Sequence, residues 1–197
     1  MDFRLHEIHP ALVHFPIALL PFSIGADIVG KLSGQPALSR LGRQTIAPAA
    51  ASALFSGISG LLAQEHVNLK SDAAMQTLIT HRNINIMATV GTGLLAWRRL
   101  SMHPKERPGL RYLLGGMGLV AGMIYTAQLG GRLVYRDGVG VEAADGIFED
   151  PSVDYAHDDP IDLMRQTGKS LGVGAKHLVQ ELGEGKFAPD LNPRAST

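Results

Sequence analysis

Twenty consecutive residues, Ala11 to Gly30, hold only two ionisable side chains, His14 near the start and Asp27 near the end. A helix that crosses a bilayer takes roughly 20 apolar residues, so this stretch commits the chain to a membrane before anything else is read. Three more apolar stretches follow, over about 45–64, 81–97 and 110–131. The second is rich in Ala, Ser and Gly, is the least hydrophobic of the four, and is expected inside the bundle. The fourth carries Gly118 and Gly122, a spacing that lets helices pack closely. Mean hydropathy of only +0.09 conceals this pattern, because residues 137–197 are polar and begin with a run of Asp and Glu.

The expected fold is therefore all-α: a four-helix transmembrane bundle over residues 1–141, and a polar tail over 142–197. In the tail, Ile161, Met164, Leu171, Leu178 and Leu182 alternate with Arg165, Lys169 and Lys176. That pattern reads as a short amphipathic helix lying on a membrane or a partner. The first span is not read as a cleavable signal peptide, since it lacks a basic leader and contains prolines.

Charge between the spans sets the orientation. Lys31, Arg40 and Arg43 stand without an acid between the first and second spans, and five basic residues face Glu106 alone between the third and fourth. Short positive loops stay in the cytoplasm. The expected location is a bacterial inner membrane with both termini in the periplasm. His6, His9, His14, His66 and His81 then gather at the outer end with Arg132 and Tyr135.

The chain has no cysteine, which excludes disulfides, thiolate metal sites, iron–sulfur clusters and covalently attached haem. Its net charge of zero gives no reason to expect nucleic acid. No catalytic triad, phosphate loop, dinucleotide fingerprint or HExxH occurs, so an enzyme acting on its own is not expected.

Two strings resemble a known family. HPALVHFPIALL opens the first span, His81 opens the third, and LGGRLVYRDGVGV closes the fourth. Over roughly residues 6–142 the chain is similar to domain-of-unknown-function family 2231, a group of predicted bacterial inner-membrane proteins. The resemblance implies a four-span fold and no established activity. The sequence departs from the family string at Asp137, where a histidine is usual.

Neutral imidazole ligates haem iron, copper and zinc. His14 and His81 fall at matched depth on two helices that run the same way, and are candidate axial ligands of a b-type haem, with Arg132 or Arg82 neutralising a propionate. In that reading the protein is a small redox subunit that passes electrons to a periplasmic or membrane partner. A second arrangement takes His9, His14 and His81, with His6, as a copper or other metal site; Pro10 then leaves His9 ahead of the helix. A quinone pocket using a histidine and Tyr135 is a third. The alternative from another class is a non-catalytic membrane anchor, its histidines hydrogen-bonded within the bundle and its acidic tail docking a partner. Asp27 is expected to pair with Lys31, Arg98 or Arg99.

Overall fold

In a computed structural model the described residues are 5–64, 67, 69, 71–139 and 160–184. The acidic run after Glu142, His157, His66 and the last dozen residues lie outside them, as does the side chain of His6. Six helices account for nearly all of what is described: α1 Leu5–Leu12, α2 His14–Ser33, α3 Pro36–Gln64, α4 Asp72–Ser101, α5 Leu110–Tyr135 and α6 Pro160–Gly183.

Helices α1 and α2 follow one another with only Val13 between them. Val13 keeps helical dihedrals, its N–H donates to His9 O at 3.1 Å, and its own carbonyl accepts from Ile17 N at 3.2 Å. The helix is interrupted there because Pro16, one turn on, has no N–H for the carbonyl of Leu12. His9 was expected ahead of the helix; it lies within α1, since the chain is already helical at Leu5 and Pro10 sits inside the turn.

The helices also begin earlier than the apolar pattern suggested. Gly34 ends α2 at a φ of 75°, a left-handed conformation open to glycine. Pro36 then opens α3 with its φ already set for a helix. The basic segment between the first two spans is thus mostly the first turns of α3. Likewise Ser71 Oγ accepts from Ala74 N at 3.2 Å and starts α4 nine residues before His81.

Among the described residues three stretches are long and apolar enough to cross a membrane: Ile8–Ser33, Pro36–Gln64 and Leu110–Tyr135. Helix α4 falls short, so it and not α3 is the least apolar of the four helices that carry the expected spans. The reason is on its inward face, where Asn83, Thr92 and Arg99 are buried.

Packing runs α2 on α3, α3 on α4, α4 on α5, and α5 back on α2, with α1 and α6 both against α3. The core between them gathers Leu20, Ile24, Ile46, Ala49, Leu113 and Met123. A Cβ on Gly116 would lie 2.5 Å from Ile24 Cδ1, so glycine there sets how closely α2 and α5 approach. Gly118 and Gly122, expected to make such an approach, meet nothing within 4 Å among the described residues. The amphipathic helix expected over 160–183 is α6, and it lies on α3.

One end of this assembly is cationic and tied by an ion pair. Arg99 donates from Nε to Asp27 Oδ2 at 2.9 Å and from Nη2 to Oδ1 at 2.7 Å, with both side chains fully buried. The same Nη2 reaches Ser39 O at 2.8 Å. Of the three partners considered for Asp27, Arg99 is the one used. Lys31 Nζ donates to Pro108 O instead, at 2.8 Å, and Arg98 is exposed. Arg43 caps the end of α4, donating to the carbonyls of Arg99, Leu100 and Met102 at 2.6–2.8 Å. These contacts satisfy carbonyls that a helix end leaves without partners.

Candidate functional site, a paired imidazole at the other end

At the opposite end, two histidines from different helices face one another. The rings of His9 and His81 stand edge to face, with centroids 6.5 Å apart and planes at 85°. His81 lies 18 residues before Arg99 on α4, about 27 Å at the rise of an α-helix. The pair and the ion pair are thus separated by nearly the thickness of a hydrocarbon core, about 30 Å.

Each ring is oriented by main-chain carbonyls on the helix behind it. His9 Nδ1 lies 3.0 Å from Ser56 O and 3.2 Å from Ser59 Oγ, both on α3. His81 Nδ1 lies 2.9 Å from Thr126 O and 3.0 Å from Thr126 Oγ1, on α5. A carbonyl only accepts, so both Nδ1 atoms carry the proton and both Nε2 atoms present a lone pair. His9 Nε2 makes no hydrogen bond to any described residue. His81 Nε2 accepts from Asn85 Nδ2 at 3.1 Å, and that amide also donates to His81 O and Thr126 Oγ1 at 2.9 Å.

Glycines make room for the rings. A Cβ on Gly60 would lie 2.8 Å from His9 Cε1, and one on Gly130 would lie 3.0 Å from His81 Cε1. Ser56 Oγ is buried beside the site without a hydrogen-bond partner among the described residues.

The remaining candidates are dispersed. His14 is exposed: five residues past His9 it sits about 140° round the helix, so it is turned away from the pair. Arg132 is exposed, and Tyr135 is 92% exposed. Arg82 is buried, with Nη1 donating to Gln64 Oε1 at 3.4 Å and Nε to Asn83 Oδ1 at 3.3 Å. It is not presented at the surface as a propionate partner needs to be. Asp137 is engaged on both oxygens by Arg136, at 2.9 and 3.2 Å. That carboxylate holds the exposed Arg136 guanidinium above its ordinary pKa. Among the described residues no three His, Asp or Glu side chains converge as a metal cluster.

Reading the sequence missed Ser56, Ser59, Gly60, Asn85, Thr126 and Gly130. One of them left a signal, since Asn85 stands one turn beyond His81 and so shares its face. The others depend on which residues of α3 and α5 come opposite.

A family model matches residues 5–143, from the start of α1 to just past α5, and its description is a predicted membrane protein. The chain belongs to the DUF2231 family. The matched region holds both imidazoles and every residue that orients them, while α6 lies beyond it. No curated protein and no solved structure matches this DUF2231 chain. Its chemistry therefore has to be argued from the site.

Proposed function

We propose that this protein crosses the membrane four times and binds one redox-active metal centre between His9 and His81, b-type haem iron being the centre that a pair of imidazoles suits best. The observation that carries this reading is the facing pair of rings, each with Nδ1–H on a main-chain carbonyl. Metal-bound histidines are oriented in this way, because the bond fixes the tautomer and aims the other nitrogen. Two imidazoles without a third ligand would hold haem iron, or a low-coordinate copper ion, and either centre would supply one-electron chemistry there. They fit a structural zinc site, which takes four ligands, less well.

The fourth crossing is α4. Its exposed Met87, Val90, Leu94 and Trp97 form an apolar stripe, while Arg82, Asn83, Thr92 and Arg99 are buried. Low average hydropathy is what such a helix displays when its polar groups pair inside protein and not with lipid. Positive charge at the end holding Arg40, Arg43 and Arg107 supports a cytoplasmic placement of that end. The imidazole pair and both termini are then outside, within reach of a periplasmic or membrane electron partner.

The test is the full-length chain, expressed with ample haem and copper and purified in mild detergent. A reduced-minus-oxidised spectrum and metal analysis are expected to show one bound centre, lost in His9→Ala and His81→Ala and kept in His14→Ala. A Soret band identifies haem; copper without one identifies the copper form. Metal content no higher in the parent than in the two deficient variants refutes the proposal.

A second reading rests on the same hydrogen bonds. His9 ties α1 to α3 and His81 ties α4 to α5, so the imidazoles serve as latches in a non-catalytic anchor. It predicts that both alanine variants lower the melting temperature with no metal to lose.

A further inference from the structure

Beside the capped end of α4, an open cleft of about 340 Å³ is lined by Arg40, Arg43, Gln44, Ala47, Leu100 and Pro104. No acidic residue lines it. Arg40 is exposed and its guanidinium makes no hydrogen bond to a described residue. Arg43 spends three N–H groups on carbonyls at the end of α4. A guanidinium has five, so two remain. Of the nearby carboxylates, Asp27 is paired with Arg99, and Glu106 is exposed and lies outside the lining of the cleft.

Arg40, Arg43, Gln44 and Ala47 line the cleft from α3, and Leu100 and Pro104, from the end of α4 and the segment after it, give it an apolar wall. Leu100 is exposed one turn beyond Trp97, itself 70% exposed. The apolar wall thus continues into the outward face of α4.

We infer that this cleft seats the headgroup of an anionic glycerophospholipid, its phosphate on Arg40 and the free donors of Arg43 and an acyl chain along Leu100 and Trp97. A basic recess between membrane helices is a recognised form of headgroup site. The apolar wall is what selects a lipid over free phosphate, which gains nothing from it. The inference does not depend on the imidazole pair.

Full-length protein in mild detergent is titrated with phosphatidylglycerol, with phosphatidylcholine of the same chains, or with inorganic phosphate. Retained lipid is read by native mass spectrometry and stability by thermal melting. Phosphatidylglycerol is expected to be retained and to raise the melting temperature, while the other two leave it unchanged. Arg40→Gln should weaken phosphatidylglycerol binding about fivefold. Arg98→Gln, exposed at the same end but outside the cleft, should not weaken it. Equal retention of both lipids, an equal shift with inorganic phosphate, or equal weakening by both substitutions overturns the inference.

Discussion

Arg99 and Asp27 meet through two parallel hydrogen bonds, 72 residues apart in the chain and fully buried. Two desolvated charges are stable together only because each completes the other, and Ser39 adds a carbonyl to the guanidinium. Gly42 lets the carboxylate in, since a Cβ there would lie 2.8 Å from Asp27 Cγ. Asp27→Ala or Arg99→Ala leaves the other charge unpaired and should cost about 3–5 kcal/mol. Removing both with Asp27→Leu and Arg99→Leu should recover most of that loss. Thermal melting of the single and double variants in one detergent measures the coupling; additive losses would contradict it.

The contact between Gly60 and the His9 ring makes a narrower prediction. A methyl at 2.8 Å from Cε1 forces the ring or α1 to shift, and overpacking of this kind costs about 1–3 kcal/mol. Gly60→Ala should therefore destabilise the chain, whereas Gly93→Ala, with nothing within 4 Å of its Cβ, should not. If melting shows the two variants to be alike, His9 does not rest on α3 as described.

Orientation can be checked without background, because the chain has no cysteine of its own. Gln35 and Tyr135 are exposed at opposite ends of the helices. With the cationic end in the cytoplasm, Tyr135→Cys should react with a membrane-impermeant maleimide in intact cells. Gln35→Cys should react only after permeabilisation. The reverse pattern would place the imidazoles inside.

Much of the scaffold was legible because three of the long helices are apolar enough to declare themselves. What stayed hidden was rotational phase. Charge alone left three partners for Asp27. Only the helical register of α4 puts Arg99, 7 residues after Thr92 and 18 after His81, on the inward face. The same uncertainty moved the site. His14 looked better placed than His9 because Pro10 suggested that the helix starts after it, and a chain already helical at Leu5 turns His9 inward and His14 out. Depth in the membrane can be counted along a sequence, but a ring's facing depends on contacts with α3 and α5 that are 47 and 45 residues away in the chain.

Asn85 separates the two functional readings. Its amide donates to His81 Nε2, the nitrogen that a metal would need, and also to His81 O and Thr126 Oγ1. Asn85→Ala removes these bonds and should cost about 1–3 kcal/mol in stability, since buried acceptors lose a donor. The orienting bond from His81 Nδ1 to Thr126 O involves no atom of Asn85 and survives. If His81 ligates a metal, the variant frees Nε2, so metal content should hold or rise even as the melting temperature falls. If His81 is only a latch, the melting temperature falls and metal stays at the level of His81→Ala. Measuring both quantities on one preparation decides the matter, and loss of bound metal in Asn85→Ala to the level of His81→Ala would count against ligation through Nε2.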